Sequence, residues 1–159
     1  MAVVFSAREI VEAAVEKERK RRGFYAKVSE LITDEDMRKL FQFLTEEEDR
    51  HVAAFTKIRD SLPRETYSDE YSADMQAYMD SVIDDRLYSG IDSKEFVQKA
   101  ITAGNVFRLA IGFEKDAILY FREFLSYLTE ADRTVIEELI EQEKGHIRML
   151  AEMEKRMAA

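Results

Sequence analysis

Hydrophobic residues recur every three or four positions along most of the chain, which is the spacing of one face of an α-helix. The first such stripe follows a capping box that begins at Ser6, and it predicts a helix over residues 6–32. A second capping box begins at Thr33, and its stripe ends before Pro63. We therefore predict that residues 6–61 form two helices joined by a tight turn, an antiparallel hairpin.

The same pattern returns in the C-terminal third of the chain. A stripe over residues 107–128 predicts a third long helix, and a capping box at Thr129 opens a fourth, with its stripe over 136–157. These two helices predict a second hairpin, over residues 105–157.

The residues between the hairpins, 62–104, are more polar and predict a long crossover. Within it we predict a helix over about 69–88, a turn at Ser89-Gly90 and a short helix from Ser93 to about Ala103. Gly104-Asn105 then makes a break before the second hairpin.

Composition supports an all-helical protein and narrows its partners. The 159 residues suffice for one domain with a sizeable core, and five glycines and one proline leave few turn signals. We predict a single domain over residues 1–159, an all-α four-helix bundle with a long, partly helical crossover between helices 2 and 3. The net charge of −9 disfavours nucleic acid and anionic membranes as partners. No membrane-length apolar run or signal peptide is found, so we expect a cytoplasmic protein.

Each of the four long apolar stripes contains a glutamate, although a carboxylate on a buried face is costly unless it is paired, protonated or bound to metal. These residues are Glu18, Glu48, Glu114 and Glu143. The two histidines of the chain, His51 and His146, each follow one of these glutamates by three positions. Residues at that spacing share one helix face, so two helices present a carboxylate and an imidazole together.

The spacing also predicts that these six side chains lie at one height. Glu18 precedes Glu48 by 30 residues and Glu114 precedes Glu143 by 29, and both midpoints fall in the predicted hairpin turns. Residues equidistant from a hairpin turn lie side by side, here roughly 21 Å from each turn. The two hairpins are therefore an internal repeat, and each places a Glu opposite a Glu-x-x-His.

One inward Glu from each of two helices and a Glu-x-x-His from each of two others are the ligand set of a two-metal carboxylate site. Four carboxylates would repel each other in an apolar interior, and two divalent cations remove that repulsion. Mixed carboxylate and imidazole ligands suit iron or manganese. We predict two iron ions per chain, with manganese or zinc as alternatives for the metal loaded.

Other assignments of the same residues are open at this stage. The glutamates could face solvent at the edge of the stripe, or form salt bridges with Arg21, Lys115 or Lys144. Glu47 is an alternative to Glu48, and Glu16 and Glu141 lie near other predicted ligands.

Two tyrosines and a basic run have both functional and structural interpretations. Tyr25 and Tyr120, which follow the inward glutamates on the same two helices, could hydrogen-bond a ligand carboxylate or trap a radical, but an amphipathic core aromatic is the simpler interpretation. The basic run over residues 17–22 has no interleaved aromatic residue, and we interpret most of it as a solvated helix face.

Four segments together closely resemble the rubrerythrin branch of the ferritin-like superfamily. They are Glu18 to Tyr25, Glu48-x-x-His51, Ile111-Gly-Phe-Glu114-Lys-Asp-Ala117 and Glu143-x-x-His146, and the similarity covers about residues 5–155. The resemblance implies an up-down-down-up bundle. It also implies that Glu48 and Glu143 bridge the metals, that Glu18 and Glu114 are terminal ligands, and that each histidine binds one metal.

The chain departs from that branch in two ways. Rubrerythrins carry a cysteine-rich rubredoxin domain, whereas this chain has no cysteine and so no Cys-ligated metal centre. They also have a carboxylate three residues after the third-helix glutamate, where this chain has Ala117. That difference argues against the iron movement typical of rubrerythrins.

We therefore expect an oxidoreductase of oxidative-stress defence that reduces H2O2 or O2 at a binuclear iron site, using an external electron donor such as rubredoxin. Ferroxidase activity with iron storage is the alternative within the metal class, and a metal-binding bundle without turnover is the alternative outside it. We expect a homodimer or a higher homo-oligomer.

Overall fold

The computed structural model describes residues 7–62, 81, 88–125 and 128–158. Within these ranges every long regular element is an α-helix, as the sequence predicts. The helices are α1 (Ala7–Leu31), α2 (Glu35–Ser61), α3 (Lys94–Ala103), α4 (Val106–Phe124) and α5 (Glu130–Ala158). None of these described helices combines the length and the apolar character that crossing a membrane requires.

Two predictions about local structure fall outside the described residues. One is the capping box at Ser6. The other is the predicted helix over 69–88, of which only residues 81 and 88 are described. Tyr88, at the end of that predicted helix, lies in a turn that continues to Asp92.

The start of α2 differs by one residue from the prediction. Asp34, rather than Thr33, has the extended backbone of an N-cap, and its carboxylate accepts a hydrogen bond from the backbone N–H of Met37. Asp is at least as good an N-cap as Thr, and its negative charge also favours the positive end of the helix dipole. The capping pattern at Thr33 therefore pointed to the correct turn but to the wrong residue.

The predicted starts of α3 and α5 are confirmed. The Ser93 hydroxyl accepts from the backbone N–H of Phe96, and the Thr129 hydroxyl accepts from that of Asp132. The break between α3 and α4 is also where the sequence predicts it. Gly104 ends α3 with a φ of +69°, a left-handed conformation that glycine adopts without strain.

Short connections make two antiparallel hairpins, α1–α2 and α4–α5. The hairpins pack with α1 beside α4 and α2 beside α5. Tyr120 on α4 bonds near the start of α1 at Ile10, whereas Glu114 on α4 bonds farther along α1 at Tyr25, so these two helices are antiparallel. Helices α2 and α5 are antiparallel as well, and the bundle runs up-down-down-up.

The apolar core is divided into two clusters along the bundle. The α1–α2 turn cluster includes Phe24, Val28, Phe41, Phe107 and Leu150. The α4–α5 turn cluster includes Val11, Phe55, Phe121, Ile136 and Leu139. The layer between them is occupied by charged and polar side chains, which are the subject of the next section.

The described part of the crossover packs against α1. Asp92 lies within ion-pair distance of Lys20, at 3.5 Å, and its side chain lies directly over Gly23. One turn along, Phe96 of α3 packs edge-on against Phe24. Gly23 therefore allows the crossover to approach α1 more closely than any larger residue would.

Candidate metal centre

The structure brings the six predicted side chains into one buried layer at mid-height of the bundle. None of them exposes more than 2% of its surface. They form two groups whose potential ligand atoms lie within 4.8 Å of one another. The first group is Glu18, Glu48, His51 and Glu143, and the second is Glu48, Glu114, Glu143 and His146. Because Glu48 and Glu143 belong to both, the two groups adjoin.

Both imidazole rings turn Nδ1 toward the carboxylates. His51 Nδ1 lies 2.7 Å from a Glu143 oxygen, 3.6 Å from Glu48 and 3.8 Å from Glu18. His146 Nδ1 lies 3.3 Å from Glu143 and 3.5 Å from Glu114. The two rings are stacked, with their centroids 5.8 Å apart. The matching heights predicted from the hairpin spacing are therefore realised as direct contacts.

Two residues outside the six orient members of the layer. His51 Nε2 lies 2.8 Å from the amide oxygen of Gln142, so Nε2 carries a proton and Nδ1 is the nitrogen that would bind a metal. The Tyr25 hydroxyl donates to Glu114 Oε1 at 2.5 Å. Tyr25 thus makes the carboxylate contact considered in the sequence, and its interpretation as a core aromatic alone was wrong.

Tyr120 has the structural role instead. Its hydroxyl donates to the backbone carbonyl of Ile10 at 2.7 Å, and its ring belongs to the α4–α5 turn cluster. Burial raises the pKa of this phenol well above its usual value, so it stays protonated.

A buried arginine, which the sequence analysis names only as a possible salt-bridge partner of a stripe glutamate, lies beside the six. Arg21 is 2% exposed and pairs with the carboxylate of Glu18. It also donates to the backbone carbonyl of Phe113 at 3.1 Å. The interpretation of residues 17–22 as a solvated face was therefore wrong for Arg21, and for Lys17, which is 8% exposed. The signal was present, because Arg21 lies three residues after Glu18 on the same face.

The other candidates lie outside the layer. Glu47, the alternative to Glu48, pairs with Arg50 at 2.9 Å. Glu16 pairs with Arg19, and Glu141 pairs with Lys144, both on the surface. Lys115 is exposed. Of the salt bridges considered for the four stripe glutamates, only that between Glu18 and Arg21 is found among the described residues.

Several oxygens of the layer lack hydrogen-bond donors. Both oxygens of Glu48, Oε2 of Glu18, Oε2 of Glu114 and Oε1 of Glu143 are buried without a hydrogen-bond partner. Glu143 Oε1 is close to His51 Nδ1, but the two atoms are not aligned for a hydrogen bond. Buried carboxylate oxygens are costly to leave unpaired, and here they converge with imidazole nitrogens. This donor set fits two divalent cations that accept both oxygen and nitrogen ligands.

Without cations, the layer must take up protons to limit repulsion. Burial, followed by the charges of Glu18 and Glu143, raises the pKa of Glu48 well above its usual value. Burial would lower the pKa of His51, but its contacts with Glu143, Glu18 and Glu48 outweigh burial and raise it. Burial would likewise raise the pKa of Glu18, but the Arg21 cation holds it at about 2. In the metal-free protein, protons thus balance part of the negative charge of the carboxylates that bound cations would otherwise balance.

Comparison with known proteins identifies the fold. No protein-family profile matches the chain, and no curated protein sequence matches it either. A crystal structure from Thermotoga maritima, provisionally described as a ferritin-like diiron-carboxylate protein, matches with a TM-score of 0.69. The two sequences are 24% identical, and the match covers 96% of each chain. The chain therefore has a ferritin-like helical-bundle fold.

Proposed function

We propose that this protein is a di-iron carboxylate oxidoreductase that reduces H2O2 or O2 with electrons from a separate donor. The observation that carries the proposal is the convergence of four glutamates and two histidines in a buried layer, with unpartnered oxygens facing one another. The neighbour with the same fold is itself described as a diiron-carboxylate protein, which supports iron as the metal.

The two groups of side chains would hold one ion each. Glu18 and His51 would bind one ion, Glu114 and His146 the other, and Glu48 and Glu143 would serve both. Two ferrous ions held this way would supply one electron each, and these two electrons, with two protons taken up from solvent, would convert one H2O2 into two water molecules.

The protein's own side chains prepare the site for this chemistry. The hydrogen bond to Gln142 directs Nδ1 of His51 into the layer, and the Tyr25 hydroxyl fixes the orientation of Glu114. The apolar clusters on either side keep bulk water away from the layer. Ala117 leaves the site with six protein ligands, without the further carboxylate found in rubrerythrins.

The chain contains no cysteine, so it has no Cys-ligated metal centre that could reduce the iron again after each reaction. A separate protein donor such as reduced rubredoxin would therefore be needed for repeated turnover. We propose that the protein acts in the cytoplasm as a homodimer or a higher homo-oligomer.

Stopped-flow oxidation of the ferrous protein tests the proposal. We expect one fast phase that consumes about one H2O2 per two Fe(II), since each iron gives one electron. Repeated turnover should require an added reductant such as reduced rubredoxin. Glu114→Ala should suppress the fast phase by removing a ligand, whereas Tyr120→Phe should leave it largely intact because Tyr120 bonds to Ile10.

The same experiment distinguishes the alternatives. A ferroxidase with iron storage would use Fe(II) as substrate and retain tens of ferric ions per chain in a cage-sized particle. A binding protein without turnover would hold iron but would react slowly with both oxidants. Either result would contradict the proposed activity while leaving the metal centre in place.

A further inference from the structure

The two halves of the candidate metal centre differ in what lies beside them, although the hairpins are an internal repeat. Glu18 on α1 corresponds to Glu114 on α4. Counting three and seven residues beyond each, Arg21 corresponds to Ala117 and Tyr25 to Phe121. The α1 positions therefore carry a guanidinium and a phenol, whereas the α4 positions carry neither a charge nor a hydroxyl.

Arg21 reaches across the bundle to the α4 face on which Ala117 lies. It donates to the carbonyl of Phe113, one turn before Ala117, and its guanidinium carbon lies 5.9 Å from the centre of the Phe121 ring, one turn after. Ala117 is buried and small. Its single methyl group leaves room on this face of α4 for the long side chain of Arg21.

The two terminal glutamates consequently have different partners. Glu18 gives Oε1 to the Arg21 cation and keeps Oε2 without a hydrogen-bond partner. Glu114 gives Oε1 to the neutral Tyr25 hydroxyl and likewise keeps Oε2 without one. The group that contains Glu18 thus has a full positive charge in contact with its terminal glutamate. The group that contains Glu114 has a neutral hydroxyl in contact with its own.

We infer that Arg21 makes the two metal positions unequal, so that the position at Glu114 and His146 fills first and the position at Glu18 and His51 binds its divalent cation more weakly. A fixed cation in a buried layer repels a second cation nearby, and it also offsets part of the charge of Glu18. Arg21 would therefore act by its charge, both directly and by offsetting the charge of Glu18, without itself binding the metal. The inference rests on the proposed metal centre but not on its redox activity.

Mn(II) binding to a matched pair of variants tests the inequality. His51→Ala should impair the position at Glu18 and His51 and leave the position at Glu114 and His146 intact, whereas His146→Ala should do the reverse. Free Mn(II) is followed by its electron paramagnetic resonance signal at pH 8. We expect the wild type to bind two ions in two steps, and His146→Ala to bind at least about tenfold more weakly than His51→Ala.

Arg21 variants in the His146→Ala background then assign the cause. Arg21→Met removes the charge while keeping a long side chain, and it should raise the affinity of the remaining position about tenfold or more. Arg21→Lys keeps the charge and should leave the affinity low. A merely structural role would predict the opposite, since loss of the contact with Glu18 would lower the affinity in Arg21→Met.

Each outcome has one interpretation. Equal affinities in the two histidine variants, or tighter binding by His146→Ala, would overturn the inference even if Arg21→Met did not fold. A fall in affinity in a folded Arg21→Met would overturn it as well. Failure of the wild type to bind two Mn(II) ions would instead count against the proposed metal centre.

Discussion

Two side chains of α1 supply contacts that the buried carboxylates of both hairpins need. Arg21 pairs with Glu18 of its own helix, and Tyr25 reaches across to Glu114 of the other hairpin. Both are fully or almost fully buried, so neither contact is weakened by water. The layer is therefore held partly by residues that are not themselves expected to bind metal.

At the scale of single residues, the sequence predicted the clustering of six side chains well, whereas it named the contacts of their neighbours only as alternatives. The six are recognisable because a glutamate or histidine in an apolar stripe is costly and needs an explanation. Arg21 belongs to a run of basic residues, where a solvated face is the usual outcome, so its salt bridge with a stripe glutamate was only one of several open alternatives. Whether Tyr25 or Tyr120 meets a carboxylate depends on the rotation of α1 against α4, which periodicity does not determine.

Removing the Tyr25 hydroxyl should destabilise the metal-free protein more than removing that of Tyr120. Tyr25→Phe leaves an oxygen of a buried carboxylate without its donor, which costs about 1–3 kcal/mol. Tyr120→Phe removes a bond to a backbone carbonyl and should cost only about 1 kcal/mol. Urea unfolding of both variants measures the difference. Equal losses would mean that the bond between Tyr25 and Glu114 contributes no more than the bond between Tyr120 and Ile10.

At the scale of elements, helix types and most boundaries followed from periodicity and capping residues. Predicted and observed bounds of the four long helices agree to within a few residues. The approach of the crossover to α1 did not follow, because contacts between elements distant in sequence leave little local signal. Gly23 is the exception in hindsight, since a glycine inside a helix often marks a close contact.

Two helix glycines provide a test of that contact. A Cβ at Gly23 would lie 2.7 Å from the Cβ of Asp92, so Gly23→Ala must displace the turn before α3. We expect a loss of about 1–3 kcal/mol, reduced by the better helix propensity of alanine. Gly112→Ala in α4 meets nothing within 4 Å and should stabilise the protein by about 0.5–1 kcal/mol. A lower melting temperature for Gly23→Ala and a higher one for Gly112→Ala would confirm the close approach of the crossover to α1. A higher melting temperature for both variants would contradict it.

At the scale of the whole molecule, the central layer links all four long helices. Each group of potential ligands takes side chains from three helices, and the two groups together include α1, α2, α4 and α5. Metal binding should therefore stabilise the entire bundle rather than one hairpin.

Metal loading should raise the melting temperature by mass action, because a formed site exists only in the folded state. Fully loaded protein should contain two Fe or Mn ions per chain by elemental analysis. A chelator should return the melting temperature to that of the metal-free protein. One ion per chain, or a melting temperature indifferent to metal, would contradict a two-metal centre.

The metal-free protein should melt at a lower temperature at pH 8 than at pH 6. Glu48 and His51 have raised pKa values when folded, so the folded state holds protons that the unfolded state has released. Stability from such groups is present below the unfolded pKa and is lost as the pH rises toward the folded one. Glu18, with a folded pKa of about 2, contributes stability above its unfolded pKa and loses it only as the pH falls below about 4.5. Calorimetry at the two pH values decides, and equal midpoints would place the layer in contact with solvent.

The division of the core into an α1–α2 turn cluster and an α4–α5 turn cluster affects how the protein opens locally. The apolar contacts of each cluster are independent of those of the other. In the metal-free protein, the charged layer between them therefore joins two cooperative units only weakly. Amide hydrogen exchange of the metal-free protein should then show two protection levels, one for each end. Cations bound in the charged layer should bring the two protection levels together, so that the bundle opens only as a whole.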